Sequence, residues 1–586
     1  SKTQVPLKAR CGCWVPQPDS GAHSKSSRLP LQVKIASYGK KDYTIKKRCG
    51  VQAAGQDAGD ETMKRRDFCK GLAVTFAAGT LAPAAALPQA GAATALVGRA
   101  VPDDYYTLWY RSDRCGADLR HDYYYSDSLF DHPATEYDNQ LALATLGMAA
   151  AADCTWESDQ RYWMEGEVGR ADHIRDAFAK LGFTEVQLFN YTHSLNDTPD
   201  TVGCAIARKT LVRGGRQVTI IGAFLRGSGY GAEWSGNLHA GPGSAHVGFV
   251  TAARQLVEKI RAYVQASAKR QPLGTLKLWM GGYSRGGGVA NLVAARLPAV
   301  LPQLEKKNTF VYTFAAPASL TAADCPDLQQ DYDNNHAADG SLKKNWGTSN
   351  IFNIVSSGDV IPRILPAEWG FYRNGNDRFL PSTVIPEELQ ALNDRSAGME
   401  GTPMDFGRLA VSEETDAVLR SMLDLFCDRQ TYYKGYEDAM RCMLQCATTR
   451  TEEEVTRGIV RDDAAVVAQL RSMELMQRFP QEKVERCVQA ASALSRPVLE
   501  KLGSAVPLQA QQIVIPMLAV GLCFELQPET VQLVADFVLS TITVKGQLSG
   551  ILKTVLCHFQ ENYITVLEAY DPADHGMTPY TRREEL

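Results

Sequence analysis

Along the middle of the chain, short runs of apolar residues take turns with segments in which apolar residues recur at helical spacing. Short apolar runs typical of buried strands occur at residues 186–189, 201–207, 217–224, 276–280, 310–314 and 351–355. Helical patterns occur at residues 139–152, 171–181, 252–268 and 289–295. The helix at 252–268 carries Leu256, Ile260 and Val264 on one stripe. Strands that alternate with helices predict an α/β fold, with a mostly parallel sheet covered by helices on both faces.

The pattern changes after about residue 386. Up to about residue 545 the sequence predicts a series of helices with few strand signals. Apolar residues there follow helical spacing at Leu419, Met422, Leu423 and Phe426 and again at Val531, Val534 and Val538. This helical insertion is interpreted either as a structural cap or as a lid that selects substrates, and the sequence leaves both open.

A targeting segment is predicted at residues 63–95. A basic start at residues 63–66 leads into an alanine-rich apolar run that ends near residue 87. The pattern Arg65-Arg66-x-Phe68-x-Lys70 resembles a twin-arginine export signal, which is an address read by a receptor. The alternative, a retained apolar helix, is disfavoured because the run is short and weakly apolar for a membrane span. Small residues suited to cleavage of the signal follow, and the cleavage site is predicted after Ala86, Ala92 or Ala95.

The predicted signal divides the chain. We expect an exported protein, secreted or periplasmic, with the twin-arginine export machinery as a partner. Residues 1–62 have no sustained apolar periodicity, and export signals stand at the extreme N-terminus. We therefore expect 1–62 to be a disordered upstream extension, translated from a wrongly assigned start codon. The core is predicted at 96–385, the helical insertion or cap at 386–545, and a C-terminal part of the core at 546–586.

Charge argues against two classes of partner. Of the 62 Lys and Arg and the 66 Asp and Glu, residues 1–95 hold 15 and 6, so residues 96–586 carry a net charge of −13. An acidic chain disfavours nucleic acid and anionic membrane surfaces as main partners. No stable transmembrane anchor is predicted, because the apolar stretch at 513–524 is too short and is interrupted by Pro516 and Gly521.

The cysteine pattern gives no sign of a metal site. Fourteen cysteines are scattered through the chain without a C-x-x-C pair or a Cys/His cluster at zinc spacing. Cys442 and Cys446 lie four residues apart in a helical pattern, which favours a buried pair over a pair of metal ligands. No metal and no cofactor is predicted.

The pentapeptide Gly282-Tyr283-Ser284-Arg285-Gly286 is the strongest chemical signal. It follows the predicted strand at 276–280 and precedes the predicted helix at 289–295. A G-x-S-x-G sequence between a strand and a helix is the nucleophile elbow of α/β-hydrolases. The serine then stands at the start of a helix, whose amide groups favour developing negative charge. The alternative is a plain glycine turn.

An elbow serine requires an acid and a base later in the chain. Asp359 lies at the exit of the predicted strand at 351–355, at the same sheet edge as Ser284, although it also fits an ordinary turn aspartate. Three histidines follow Ser284: His336 in a polar loop, His575 in a polar tail, and His558 at the close of the helical region. His558 is preferred as the base.

Several motifs in order resemble the class 3 lipase-like α/β-hydrolases, particularly their bacterial members. Residues 226–228 match an R-G-[ST] element that follows a strand, and Trp234 and Asn237 follow it. The further matches are H-x-G-F at 246–249, GYSRGG at 282–287, A-P at 316–317, G-D-x-[IV]-P at 358–362 and H-x-x-x-x-Y at 558–563. The resemblance covers roughly residues 124–374 and the segment around His558.

The resemblance implies roles for further residues. Ser228 and Arg285 would supply the two backbone N–H donors of the oxyanion hole, and His246 would be a structural histidine. An amide that follows an elbow serine faces the tetrahedral oxyanion on physical grounds as well. The insertion of about 160 residues between Asp359 and His558 departs from the family pattern. A long loop adds little closure entropy, so the triad can still assemble.

These observations predict a secreted serine hydrolase that cleaves ester bonds, without a cofactor. Ser284 would attack the acyl carbonyl, His558 would act as general base, and Asp359 would orient the imidazole. The resemblance implies a lipase or carboxylesterase, with a lipid or another ester as substrate. A serine peptidase or thioesterase on the same scaffold is the first alternative, because the triad does not choose the leaving group. A non-catalytic binding module is the second.

Overall fold

The structure is a computed structural model, and beyond residue 97 it describes most of the chain. It describes residues 98–112, 118–153, 166–167, 171–193, 200–229, 231–243, 245–321, 347–365, 367–380, 390, 393–394, 397, 413, 415–417, 419–420, 423, 428–448, 458–502, 508–531, 554 and 557–569. All of them belong to one unit, Ala90–Leu586, and the other unit, Ser1–Gln89, lies outside the described residues. The predicted extension at 1–62 and the predicted signal at 63–95 therefore also lie outside them.

The strands number thirteen in the described residues, and seven of them form one sheet. In chain order they are β1 Asp104–Arg111, β2 Asp118–Tyr125, β3 Gly166–Glu167, β4 Thr184–Phe189, β5 Thr192–His193, β6 Cys204–Arg213, β7 Arg216–Leu225, β8 Thr275–Tyr283, β9 Thr309–Phe314, β10 Leu320–Thr321, β11 Ile351–Ser356, β12 Phe371–Tyr372 and β13 Asn376–Leu380. The large sheet has the order β13-β11-β9-β8-β7-β6-β4. Its strands pair in parallel from β13 to β7, whereas β6 pairs antiparallel with both β7 and β4.

Ten helices accompany the strands in the described part of the chain. They are α1 Asn139–Ala151, α2 Asp172–Lys180, α3 Gly231–Gly236, α4 Val247–Arg270, α5 Arg285–Val300, α6 Glu437–Thr448, α7 Asp463–Ser472, α8 Gln481–Leu502, α9 Leu508–Cys523 and α10 Gln560–Ala569. A single turn at Arg429–Thr431 and a π-helical turn at Tyr432–Tyr436 lead into α6. Short 3₁₀ turns occur at Asp127–Phe130, Lys306–Asn308, Ile361–Arg363, Ala367–Trp369 and Glu474–Met476. None of the described helices is both long and apolar enough to cross a membrane.

The sheet has an apolar core on each face. Along β8, Trp279 packs with α1 and α2 in one cluster, while Leu278 and Met280 pack with α4 and α5 in the other. Successive side chains of a strand point to opposite faces, so this alternation follows from the strand periodicity. The predicted layer order, with helices on both faces of a mostly parallel sheet, is confirmed.

The helical region has a third core of its own. Buried residues of α6, α7, α8 and α9 form one apolar cluster, which includes Met443, Leu470, Val488 and Ile515. The same cluster includes Ala240 and, partly buried, Trp234, which lie on the segment after β7. The described residues between 386 and 545 include no strand. Met422, Phe426, Val534 and Val538 of the predicted helical spacing lie outside them.

Several elements differ from the sequence predictions. The short strands β3, β5, β10 and β12 were not predicted, and β6 spans Cys204–Arg213 instead of the predicted 201–207. The β1–β2 hairpin was not predicted, because its aromatic residues do not alternate cleanly with polar ones. The edge strand β13 reads as a loop, since Asn376, Asp377 and Arg378 are polar and, among the described strands, it pairs only with β11. Helix α4 begins at Val247, five residues before the predicted start at 252, because His246 caps it: its Nδ1 accepts the Phe249 N–H at 3.2 Å.

Candidate active site

Ser284 lies at the turn between β8 and α5. Its backbone φ is 54° and its ψ is −124°, a conformation that is strained for a residue with a Cβ. The Ser284 N–H donates to the Phe314 carbonyl at 2.9 Å, and the Ser284 carbonyl accepts the Gly288 N–H at 3.1 Å. These two bonds fix the strained residue between the end of β9 and the first turn of α5.

The two glycines of the pentapeptide are required by close backbone contacts. A Cβ at Gly282 would lie 2.4 Å from the Gly286 carbonyl oxygen. A Cβ at Gly286 would lie 2.4 Å from the Leu225 carbonyl oxygen and 2.5 Å from that of Arg226. Side chains do not fit at such distances, so the tight turn at Ser284 forms only with glycine at both positions.

Ser284, His558 and Asp359 form a continuous chain of hydrogen bonds. His558 Nε2 lies 2.9 Å from Ser284 Oγ, and His558 Nδ1 lies 2.8 Å from Asp359 Oδ2. Asp359 is completely buried, whereas 18% of the His558 side chain is exposed. The three residues are separated by up to 274 positions in sequence, and the fold brings them together in the order that the sequence predicts. His336 and His575, the alternative bases, lie outside the described residues.

The Asp359 carboxylate has two further donors. The Tyr563 hydroxyl donates to Oδ2 at 2.7 Å, and the Ile361 N–H donates to Oδ1 at 2.9 Å. Burial raises the pKa of Tyr563 well above its usual value, and the neighbouring charge of Asp359 raises it further. The hydroxyl therefore keeps its proton and remains a donor, while its oxygen accepts the Ser356 N–H at 3.0 Å.

Hydrogen bonds also fix the main chain of the segment that carries the His558 imidazole. The Tyr283 hydroxyl donates to the main-chain carbonyl of His558, and the centroids of the two rings are 5.4 Å apart. Asn562 Nδ2 donates to the Cys557 carbonyl at 2.8 Å, which closes the turn around His558. Tyr283 is the residue before the serine, so the elbow and the histidine segment contact each other directly.

The Ser228 loop, defined as residues 226–229, lies beside Ser284. An ideal Cβ on Gly227 would be 3.9 Å from Ser284 Cβ. The Gly227 N–H donates to Asp153 Oδ1 at 2.8 Å, and Ser228 Oγ accepts from Asn237 Nδ2 at 2.8 Å. Polar side chains from two other segments thus hold the loop, Asp153 at its backbone and Asn237 at the Ser228 side chain.

The buried Arg226 side chain restrains the Ser228 loop through hydrogen bonds. Its buried Nη1 donates to Glu233 Oε2 at 2.6 Å and to the Gly227 carbonyl at 2.9 Å. The same Glu233 oxygen accepts the Gly229 N–H at 2.6 Å. A buried ion pair with additional hydrogen bonds satisfies the charges and restrains the loop backbone.

Arg285 contributes a side chain to the site as well as its main chain. The main chain begins α5 directly after Ser284. The buried guanidinium donates to the Thr201 carbonyl from Nε at 2.9 Å and from Nη2 at 2.7 Å, and from Nη1 to Asn237 Oδ1 at 2.8 Å. The sequence predicts a role for its backbone N–H alone.

His246 supports the segment that carries Asn237. It is completely buried, and its Nε2 lies 2.9 Å from the Asn237 carbonyl. Burial lowers the pKa of His246 to about 3, so the ring is neutral near pH 7. Because Nδ1 accepts the Phe249 N–H, Nε2 carries the proton and donates. These contacts support the structural role that the resemblance implies.

Two residues at the site lack a clear sequence signal. Asp153 accepts the Gly227 N–H and also a hydrogen bond from Gln560, so it joins the Ser228 loop to the His558 segment. It follows an alanine-rich helix, and no motif marks it. Tyr563 is present in the H-x-x-x-x-Y match, but the spacing alone does not reveal that its hydroxyl reaches Asp359.

The described residues contain no group of three or more His, Cys, Asp and Glu side chains that could hold a metal ion. Cys442 and Cys446 are both buried with free thiols on α6. Burial raises the pKa of Cys442 to about 12 and also raises that of Cys446, so neither thiol ionises readily.

Comparison with known proteins gives one family match. The family described as lipase (class 3) matches residues 228–369, which include Ser228, Ser284 and Asp359. No curated protein matches the chain.

Solved fungal lipases are distant structural neighbours. A Rhizomucor miehei lipase propeptide complex is 20% identical, with a TM-score of 0.28, and the match covers 41% of this chain and 68% of that one. A lipase from Rhizopus microsporus var. chinensis is 17% identical, with a TM-score of 0.28 and coverage of 42% and 75%. Lipase II from Rhizopus niveus is 16% identical, with a TM-score of 0.26 and coverage of 41% and 80%.

The sheet topology and the family match agree on the architecture. The serine at the strand-to-helix turn lies within the matched segment, on the central parallel part of the sheet. The chain has an α/β-hydrolase fold, and its residues 228–369 are similar to the class 3 lipases.

Proposed function

We propose that this protein is a serine hydrolase of the lipase or carboxylesterase type that cleaves ester bonds through Ser284, His558 and Asp359. The observation that carries the proposal is the unbroken hydrogen-bond chain from Ser284 Oγ through the imidazole to Asp359. The family match over residues 228–369 supports an ester as substrate. Buried Asp359, with Tyr563 and Ile361 as further donors, holds the imidazole with Nε2 towards the serine.

The proposed reaction has two steps. His558 Nε2 takes the Ser284 proton as Oγ bonds to the acyl carbon, and the imidazolium then gives that proton to the departing alcohol oxygen. In the second step water adds to the acyl-enzyme, with its proton passing to His558, and the carboxylic acid leaves as the proton returns to Ser284 Oγ. The backbone N–H groups of Ser228 and Arg285 would bind the oxyanion, each lowering the barrier by about 3 kcal/mol.

Export by the twin-arginine machinery, and with it a secreted or periplasmic location, remains part of the proposal. It rests on the sequence at residues 63–95, which lies outside the described residues. We also propose that the helical region acts either as a structural cap or as a lid that selects substrates.

Hydrolysis of a series of p-nitrophenyl esters by the full chain tests the proposed function. Ser284→Ala should lower kcat by about 10⁴-fold or more, because the nucleophile is removed. Ser472→Ala, at an exposed serine of α7, is the control and should retain full activity. An active Ser284→Ala variant, or a wild-type chain that hydrolyses no ester, would refute the proposal.

Matched ester, thioester and amide substrates separate the alternatives. The ester hydrolase is supported when kcat/KM is highest for the ester. A preference for the thioester or the amide would instead favour a thioesterase or a peptidase on the same triad. Binding of the ester without turnover would favour the non-catalytic module.

A further inference from the structure

We propose that the Arg285 guanidinium is a positioning group for the Ser228 loop and that it acts through the Asn237 side chain. This inference rests on the proposed function, since the loop is taken to bind the oxyanion. It assigns to the side chain of Arg285 a role separate from that of its backbone N–H.

The direction of each hydrogen bond is fixed by the chemistry of the groups. A guanidinium has donors only, so the contact of Arg285 Nη1 with Asn237 at 2.8 Å requires the amide oxygen to face Arg285. The amide nitrogen of Asn237 must then face Ser228, whose Oγ accepts at 2.8 Å. Arg285 therefore decides which way the amide points, and the amide in turn fixes the side chain of Ser228.

The guanidinium is itself immobilised. Two of its nitrogens donate to the Thr201 carbonyl, and its carbon lies 5.2 Å from the centroid of the Phe249 ring. Nε also lies 3.9 Å from Glu233 Oε1 in a region where both side chains are completely buried. Because these contacts fix the guanidinium, Nη1 of Arg285 stays in place as the donor to Asn237.

Asn237 is restrained at its main chain as well. Its carbonyl accepts from His246 Nε2 at 2.9 Å, so His246 and Arg285 hold the residue from two directions. Neither contact touches Ser284 or His558. Their shared effect is on Ser228.

The consequence is a mechanical link between the two proposed oxyanion donors. One donor is the backbone of Arg285 at the start of α5, and the other is the backbone of Ser228 on the opposite loop. The Arg285 side chain connects them through a single intermediate residue, so movement of α5 and movement of the Ser228 loop are coupled. Lysine cannot replace this link, because a single ammonium cannot reach Thr201 and Asn237 with the same planar geometry.

Steady-state ester hydrolysis by the full chain tests the link. Arg285→Lys should lower kcat by about 10- to 100-fold, the effect of misplacing a catalytic donor by roughly 1 Å, with KM changed by less than about twofold. Asn237→Leu should have a similar effect without removing a buried charge. The double variant should be no slower than the slower single variant, because both substitutions break one connection.

Affinity for a trifluoromethyl ketone, which forms an oxyanion with Ser284, gives a readout that a purely structural role would not move. It should fall in parallel with kcat/KM in both variants. Arg208→Lys is the control: Arg208 is equally buried but bonds to Glu185 and the Ser267 carbonyl, away from the site. This control should lose stability but keep kcat and inhibitor affinity.

The outcomes separate this inference from the proposed function. If the wild type is active and neither Arg285→Lys nor Asn237→Leu lowers kcat more than Arg208→Lys does, the inference is overturned and the function stands. Additive effects in the double variant would also overturn it. If Arg285→Lys does not fold, Asn237→Leu decides by the same measurements. A wild type without turnover overturns both.

Discussion

The sheet core and the helical region hold their residues by different means. Around Ser284 the backbone is packed so closely that Gly282 and Gly286 leave no room for a Cβ. In the helical region the described residues are held by an apolar cluster of side chains, and Gly435 has no neighbouring atom within 4 Å of an ideal Cβ. Geometry at the site is therefore set by close backbone packing, whereas the helical region is held by side-chain contacts and leaves room for a Cβ at Gly435.

The two regions meet on the segment between the Ser228 loop and His246. The Tyr432 hydroxyl donates to the Leu238 carbonyl at 3.0 Å, and Glu437 Oε2 accepts the Gly241 N–H at 2.8 Å. Arg429 Nη2 donates to the Gly241 carbonyl at 3.0 Å. The helical region thus contacts the segment that carries Asn237.

Among the substitutions that test this contrast between the two regions, Gly286→Ala should have the largest effect. The added Cβ would lie 2.4 Å from the Leu225 carbonyl oxygen, so β7 and α5 must move apart. We expect the free energy of unfolding to fall by about 2–3 kcal/mol and kcat to fall by about 100-fold. Urea unfolding and ester hydrolysis measure the two effects. A variant with normal activity would show that the elbow is not constrained by this contact.

His246, at the junction of the two regions, should make stability depend on pH. Its pKa is lowered from 6.5 to about 3 in the folded state, so below about pH 6.5 only the unfolded state takes up the proton. The stability from this group is present at neutral pH and is lost as the pH falls. Between about pH 7 and pH 5 the loss should be about 2 kcal/mol.

Urea unfolding of wild type and His246→Gln at the two pH values isolates this contribution. The variant should be less stable at neutral pH, but its stability should decrease less on acidification. Equal decreases in the two proteins would contradict the lowered pKa.

Tyr563→Phe should have a smaller effect, confined to the site. Its hydroxyl supplies one of the donors to Asp359 and accepts the Ser356 N–H. We expect kcat to fall about fivefold, equivalent to about 1 kcal/mol, because Asp359 orients His558 less firmly. KM should not change. An unchanged kcat would show that Ile361 and the surrounding burial suffice to hold the carboxylate.

The smallest effect, opposite in sign, is expected from Gly435→Ala in the helical region. Alanine should raise the free energy of unfolding by about 0.5–1 kcal/mol, because it restricts the unfolded chain and meets no neighbour in the fold. Ester hydrolysis should stay at the wild-type rate. Destabilisation would show that this turn is as tightly constrained as the elbow.

Much of the sheet could be predicted because its buried strands are continuous apolar runs. The strands at 217–224, 276–280, 310–314 and 351–355 were all confirmed within a few residues. The polar edge strand β13 and the aromatic hairpin β1–β2 were not, since pairing with a neighbour rather than local periodicity defines them. The start of α4 was not predicted either, because His246 caps the helix and histidine is not a common cap residue.

The candidate site likewise contains residues that the sequence predicts and contacts that it does not. Ser284, Asp359 and His558 were predicted from short motifs and their order, and the structure brings them into contact. The contacts of Asp153 with Gly227 and Gln560, of Asn237 with Arg285, and of Tyr563 with Asp359 join residues from 48 to 407 positions apart, and no local pattern encodes them. Long-range hydrogen bonds of buried side chains become visible only once the fold is known.

The central claim is that Ser284 is a nucleophile activated by His558. Mass spectrometry of the full chain after reaction with a fluorophosphonate tests it most directly. We predict one adduct, on the peptide that contains Ser284, absent in Ser284→Ala and formed at least about 100-fold more slowly in His558→Ala. Equal labelling of wild type and Ser284→Ala, or no labelling of either, would contradict the account.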